Sequence, residues 1–85
     1  MKSLREFLFK DKPLKILIAL YEKPKNITQI SKKVGTTYSH TLKLLETLYD
    51  LEIIEFQKMG REKVVSLTKK GKKVLEKLSE FLTVI

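Results

Sequence analysis

The side chains that could do chemistry in this sequence are mostly cations. The 85 residues include 18 Lys and Arg against 10 Asp and Glu, a formal charge of +8, with His40 as the single histidine and no cysteine. With no cysteine and no paired histidine, His40 cannot nucleate a three-ligand metal site. The sequence also has no nucleophile–base–acid set and no glycine-rich phosphate loop. We therefore expect no enzyme activity, no cofactor and no metal, and instead a polyanionic partner.

The charges are distributed unevenly along the chain. Between Glu46 and Glu55 there are four acids and no base, whereas between Lys58 and Lys73 there are seven bases and one acid. A solvated surface usually mixes the two signs, so this split favours one side of the molecule that faces phosphates. The alternative is a lysine-rich coat that serves solubility, and residues 69–73 fit that alternative as well.

Proline and apolar spacing predict the first helix. Pro13 suits a first helical turn, and residues 13–22 form a helix that ends before Pro24. Its apolar residues recur at helical spacing, which predicts a helix buried on most sides: Leu14, Leu17, Ile18 and Tyr21. Residues 1–12 precede it as an N-terminal arm with an apolar patch, which either docks on a partner or is a frayed terminus.

Two further helices are joined by a tight turn. Thr28 is a plausible N-cap for a helix over 28–34, and Gly35 suits a left-handed end. Thr37 then caps a longer helix over 37–50, whose buried face includes Leu45 and Leu48. Two helices around a glycine-containing turn form a helix-turn-helix, the second being the recognition helix.

The second half adds a hairpin and a closing helix. Residues 53–67 alternate apolar and polar side chains on either side of a Met59-Gly60-Arg61 turn, which predicts a β-hairpin. Thr68 caps a final helix over 68–84. We predict one domain over 1–85, mainly α with a small β-hairpin wing: a winged helix-turn-helix with a three-helix core, a hairpin and a C-terminal helix.

The stretch 27–75 resembles the small winged helix-turn-helix regulators of the MarR and ArsR type, which are common in archaea and bacteria. The resemblance is carried by ITQISKKVGTTYSHTLKLLETL, by GREKVVSLTKKG, and most specifically by Leu67-Thr68-x-x-Gly71. That family usually has glycine where Glu52 stands and an aliphatic residue where Thr41 stands. The chain could therefore leave the recognition helix in a backbone conformation that differs from the one usual in the family. The resemblance implies DNA-binding transcriptional regulation.

In this reading the recognition helix enters the major groove of double-stranded DNA, amino end first, and the wing lies on the minor groove or backbone. Ser39 and Lys43 are four residues apart and project together towards base edges. Arg61 could enter a narrow A·T-rich minor groove, whereas Leu42 either touches a thymine methyl or is partly buried. The full set of candidate DNA contacts is Thr36, Thr37, Tyr38, Ser39, His40, Lys43, Lys58, Arg61 and Lys63.

The final helix is too apolar for one core. One of its two adjacent stripes of apolar residues could cover the chain's own domain, and the other could meet a second copy. We expect a homodimer, because regulators of this kind mostly read two half-sites. The alternative is a helix that only covers its own domain. The predicted dimer interface is Leu75, Leu78, Phe81, Leu82 and Ile85.

Two other functions fit the same fold: a winged-helix adaptor within a transcription or replication assembly, and a non-specific, chromatin-type DNA binder. RNA binding is less favoured because exposed aromatic platforms are missing. The longest apolar run, 14–21 with one lysine, is far short of the roughly 20 residues of a membrane helix, so we expect no membrane partner and a cytoplasmic protein. The sequence assigns no small-molecule effector.

Overall fold

The computed structural model describes the backbone of residues 11–84 and the side chains of residues 12–80. The elements in chain order are α1 (Asp11–Glu22), β1 (Lys25–Asn26), α2 (Ile27–Val34), α3 (Tyr38–Asp50), β2 (Ile54–Met59), β3 (Glu62–Leu67) and α4 (Lys69–Val84). Helix α1 begins two residues before the predicted start, so the described part of the predicted arm belongs to this helix. The rest of the arm lies outside the described residues.

Helix α1 buries a different face from the predicted one. Ile16, Leu17 and Leu20 are buried in the core, whereas Ile18 and Tyr21 are 49% and 54% exposed. Residues 13–21 are apolar almost throughout, so helical spacing alone is compatible with two overlapping faces. The face that is buried is decided by α2 and β3, which pack against α1. The prediction of a helix buried on most sides was therefore wrong.

The helix-turn-helix is held by caps at both of its helices. Asn26, not the predicted Thr28, caps α2: its side chain accepts a hydrogen bond from the Gln29 backbone N–H at 2.8 Å, and the Gln29 side chain accepts one from the Asn26 N–H at 2.9 Å. Gly35 ends α2 with a left-handed φ of 75°, as predicted. Thr37 caps α3 as predicted, with its hydroxyl accepting from the His40 N–H at 3.1 Å.

The wing belongs to a three-stranded antiparallel sheet in the order β1-β3-β2. Strand β1 was not predicted, because two residues are too few to show an alternating pattern. The hairpin loop consists of Gly60 and Arg61 alone, since Met59 is still in β2 and pairs with Glu62. Gly60 has a φ of 64°, a conformation that favours glycine at a tight hairpin loop.

The hairpin is joined to α4 through one carbonyl group. The backbone N–H and the hydroxyl of Thr68 lie 3.0 and 3.1 Å from the Ile53 carbonyl oxygen, and the Gly71 N–H donates to the Thr68 hydroxyl at 2.9 Å. A Cβ atom at Gly71 would collide with that same Ile53 oxygen. The predicted role of Thr68 as a cap is therefore confirmed, and the close approach of α4 to Ile53 requires glycine at position 71.

Candidate nucleic-acid interface

The amino end of α3 presents polar side chains to solvent. Tyr38, Ser39, His40 and Lys43 are all exposed, as is the capping residue Thr37. The first turn of α3 contains no acidic residue. Backbone N–H groups and the helix dipole at such an end attract anions. Thr36, the remaining candidate on this helix-turn-helix, is half-buried in the turn itself.

A buried pair of hydroxyl groups fixes α3 against α2. The Oγ of Ser31 and the Oγ1 of Thr41 lie 3.0 Å apart. The Ser31 Oγ also lies 2.9 Å from the Ile27 carbonyl oxygen, and the Thr41 Oγ1 lies 2.8 Å from the Thr37 carbonyl oxygen. Both side chains are buried, at 7% and 0% exposure. The two hydroxyl protons of Ser31 and Thr41 are shared among these three contacts. The link between the two helices therefore depends on a specific orientation of both side chains. Sequence reasoning missed this link, because nothing in the spacing of Ser31 and Thr41 shows that they meet.

The turn between α2 and α3 is also tied to α1. The Lys12 ammonium donates to the carbonyl oxygens of Val34 and Gly35 at 3.2 and 3.4 Å. These carbonyls are at the end of α2, where they lack helical partners and where a cation is favoured. Lys12 thus supports the turn that presents α3, a role that the sequence did not indicate. Leu42, which had two possible roles, is half-buried and packs against the core.

The wing carries three exposed cations. Lys58 and Lys63 are paired directly opposite each other across the hairpin, and Arg61 is in the loop. The Lys63 ammonium lies 4.7 Å from the centroid of the Phe56 ring. Like charges directly opposite each other in a sheet are destabilising, so this arrangement is better explained by a polyanionic partner than by stability. The acid nearest these cations in the sequence, Glu62, accepts a hydrogen bond from the Asn26 side chain at 3.1 Å.

The lysines at the start of α4 lie away from this interface. The Lys70 ammonium donates to the Leu51 carbonyl oxygen at 2.9 Å, which places it beside the carboxyl end of α3. Helix α3 has 13 residues, so this end is about 20 Å from its amino end. Strand β2 has six residues, so the wing loop is also about 20 Å away. The prediction of one phosphate-facing side that includes residues 69–73 is therefore corrected.

The residues of the predicted dimer interface have different environments. Leu75 is 8% exposed and packs in the chain's own core, but it also lines the groove beside Leu78, so its assignment to the interface stays a prediction. Leu78 lies in an apolar groove between α1 and α4, together with the exposed face of α1 formed by Leu14, Ile18 and Tyr21. The side chains of Phe81, Leu82 and Ile85 lie outside those that the structure describes.

Comparison with known proteins agrees with this geometry. The model of the winged helix-turn-helix family matches residues 13–85. The chain belongs to that family. It is similar to a crystal structure of an Archaeoglobus fulgidus protein, with 25% identity, a TM-score of 0.79 and coverage of 96% of both chains.

Solved regulators share the fold. A MarR family transcriptional regulator from Silicibacter pomeroyi is 26% identical with a TM-score of 0.79, and the match covers 85% of this chain and 50% of that one. A homodimeric winged helix-turn-helix domain from Mycobacterium bovis, described as a possible ArsR-family regulator, has 16% identity, a TM-score of 0.75 and coverage of 94% and 71%. DNA-binding transcription regulation is the activity that the family and these neighbours support. Regulators of this kind are typically not enzymes.

The position where such regulators usually have glycine keeps the corresponding backbone conformation. Glu52 has a φ of 62°, the left-handed region that favours glycine. Two hydrogen bonds hold Glu52 in this conformation. The Glu52 N–H donates to the Tyr49 carbonyl oxygen at 2.9 Å, and the Glu52 carbonyl oxygen accepts from the Thr68 hydroxyl at 2.7 Å. The residue type differs from glycine, but the backbone at Glu52 makes the turn after the recognition helix that a glycine would make.

Across the part of the chain that the structure describes, no helix is long and apolar enough to cross a bilayer. Within the same residues no group of histidine and carboxylate side chains could hold a metal ion.

Proposed function

We propose that this winged-helix protein is a transcriptional regulator that recognises specific double-stranded DNA sequences. Helix α3 enters the major groove, and the wing lies on the minor groove or the backbone. One observation carries the proposal: the exposed amino end of α3 and the exposed cations of the wing form no ion pair with any described residue. They are therefore available to phosphates and base edges.

The residues divide into two roles. Ser39 and Lys43 lie one turn apart on the exposed side of α3, where Lys43 reaches guanine acceptors and Ser39 a base or phosphate. The residues around the amino end, Thr36, Thr37, Tyr38 and His40, contact phosphates and fix the position of the helix on the duplex. Because Ser31 and Thr41 link α3 rigidly to α2, the phosphate contacts determine where the base-reading side chains lie.

On the wing, Lys58 and Lys63 contact the backbone, and Arg61 enters the minor groove from the loop. An arginine in a narrow minor groove senses the strong negative potential of A-tracts. Substitution of Arg61 by alanine should therefore weaken binding to duplexes with a flanking A-tract more than to mixed-sequence duplexes. Lys32→Ala, an exposed cation on α2, should lower the affinity for both duplexes by the same factor. Equal losses for Arg61→Ala on both duplexes would refute the minor-groove role.

The protein acts as a homodimer in this proposal. The apolar groove formed by Leu14, Ile18, Tyr21 and Leu78 lies at the side of α4, away from the wing, and among the described residues no other side chain fills it. Most regulators of this kind bind two half-sites through a two-fold axis. Light scattering at high micromolar concentration measures the oligomeric state, and a monomer there would rule out palindromic recognition.

Selection of bound sequences from a random duplex pool tests the proposal as a whole. An enriched inverted repeat is expected, and affinity should fall steeply between low and physiological salt because several phosphate contacts release counterions. Binding without sequence enrichment would indicate the chromatin-type binder. A salt-independent response, or no binding at low salt, would indicate the protein-interaction adaptor.

A further inference from the structure

A shallow depression lies where α3 ends and α4 begins, away from the DNA-binding residues. We call it the corner patch and define it by Tyr49, Asp50, Glu52, Lys69 and Lys70, all of which line it. All five side chains are exposed. The carboxylates come from the end of α3 and the lysines from the start of α4, so each side of the depression carries one sign of charge.

These opposite charges do not neutralise each other within the chain. No ion pair joins either acid of the corner patch to either lysine among the described residues, and the Lys70 ammonium donates to the Leu51 carbonyl oxygen instead. The first turn of α4 contains no acidic residue. Lysines at the amino end of a helix are unfavourable next to its dipole, so the stability of α4 does not explain them.

An exposed aromatic side chain lies among these charges. Tyr49 is 52% exposed, and its ring centroid is 5.4 Å from that of the half-buried Phe56. This contact restricts the ring while leaving half of its surface free. A restrained tyrosine surrounded by polar groups is the kind of side chain that carries binding energy in protein interfaces.

The arrangement is self-complementary. When two copies meet across a two-fold axis that runs between the acidic and the basic side, the acids of each copy face the lysines of the other. A DNA backbone is a poorer partner, because Asp50 and Glu52 in the same depression repel phosphates. We propose that the corner patch is a contact between two copies of this chain, separate from the apolar groove.

The contact is weak in dilute solution, because exposed ion pairs contribute little individually. The contact forms to a larger extent when two copies are held close together, as on neighbouring DNA sites, because tethering raises their effective concentration. The proposal for the corner patch does not itself depend on DNA binding, so it is tested without DNA.

Charge reversal tests the contact. One variant carries Asp50→Lys and Glu52→Lys, with a formal charge of +8 + 4 = +12, and the other carries Lys69→Glu and Lys70→Glu, with +8 − 4 = +4. Both are positive overall, so net charge predicts that they repel each other. At low salt, sedimentation velocity should show association beyond the groove dimer weakened roughly tenfold in each variant alone, and restored in an equimolar mixture.

The control has the same net charge as the second variant but leaves the patch intact. Lys23→Glu with Lys77→Glu also gives +8 − 4 = +4, and both residues are exposed on other parts of the surface. Sedimentation that follows only fluorescently labelled Asp50→Lys, Glu52→Lys chains measures the mixed pair, and this control should bind them more weakly than the Lys69→Glu, Lys70→Glu variant does, because only one half of the two-fold contact is then complementary. Equal or tighter binding by this control would overturn the proposal, as would no restoration by the Lys69→Glu, Lys70→Glu variant when thermal melting shows both partners folded.

Zero-length carbodiimide cross-linking of the unaltered protein provides a second readout. In a mixture of ¹⁴N- and ¹⁵N-labelled chains, amide links between Asp50 or Glu52 and Lys69 or Lys70 should appear with mixed isotopes, and they should disappear at high salt. Links found only within single chains would overturn the proposal. So would a loss of duplex affinity in Lys69→Glu, Lys70→Glu that exceeds the loss in the matched-charge control, because the lysines would then be a DNA contact.

Discussion

Replacement of Gly71 by alanine should destabilise the fold, although alanine normally stabilises a helix. Gly71 is within α4 and has no unusual φ. On helix propensity alone, Gly71→Ala would add about 1 kcal/mol of stability. The surroundings reverse this sign, because the new Cβ would collide with the Ile53 carbonyl oxygen and would also lie 3.1 Å from the Ile53 carbonyl carbon.

The magnitude follows from what has to move. The obstacle is backbone, so α4 must shift away from the hairpin, and the two contacts of Thr68 with the Ile53 carbonyl oxygen, at 3.0 and 3.1 Å, lengthen with it. Overpacking costs about 1–3 kcal/mol, and the weakened backbone hydrogen bond from the Thr68 N–H adds about 1 kcal/mol. The propensity gain of about 1 kcal/mol offsets that addition, so we expect a loss of about 1–3 kcal/mol. The corresponding decrease in Tm is about 5–20 °C for a domain of this size.

Urea denaturation followed by circular dichroism measures this loss, and the other glycines provide the control. Gly35 and Gly60 have φ of 75° and 64° and open space around a Cβ. Their alanine variants should lose only the conformational strain, about 1 kcal/mol each. Thr68→Val removes the hydroxyl contact with the Ile53 carbonyl oxygen but keeps the backbone N–H, so its effect should be less than additive with that of Gly71→Ala. A Gly71→Ala protein as stable as the wild type, or more stable, would refute the close approach of α4 to Ile53.

Three further substitutions test single features of the structure by the same denaturation assay. Glu52→Gly should raise the free energy of unfolding by about 0.5–1 kcal/mol, because it relieves a left-handed φ of 62°. Lys25→Met should lower it by about 1–2 kcal/mol, because the buried ammonium donates to the Ala19 carbonyl oxygen at 2.7 Å at the end of α1. Ser66→Ala should raise it by about 0.5–1 kcal/mol, because the buried Ser66 hydroxyl has no hydrogen-bond partner among the described residues.

Each of these has a counterpart at an exposed position. Lys32→Met and Ser39→Ala should leave the free energy of unfolding within about 0.5 kcal/mol of the wild type, whereas Glu55→Gly, in a strand, should lower it. If Glu52→Gly were destabilising, the turn after α3 would have another conformation. A neutral Lys25→Met would mean that the Ala19 carbonyl is satisfied by solvent.

The local features of the fold were readable from the sequence because each depends on neighbouring residues. Thr37 as an N-cap, the left-handed Gly35 and the Thr68-x-x-Gly71 element are interactions over a few positions, and residue type alone indicates them. The hairpin with its loop near Gly60 was predicted for the same reason. The N-cap of α2 was misplaced, because Thr28 and Asn26 both suit that role and the pairing of β1 with β3 decides between them.

The rest was decided by contacts between distant residues. The buried side of α1 depends on the packing of α2 and β3 against it rather than on spacing, and the hydrogen bond between Ser31 and Thr41 exists only because α2 and α3 cross there. Charge shows the difference most clearly. Residue order alone establishes a +8 chain with blocks of acids and bases, but the hairpin carries residues 58–63 about 20 Å from residues 69–73. Lys63 and Lys69 therefore lie on two separate surfaces, because the extended strand β3 between them fixes their distance.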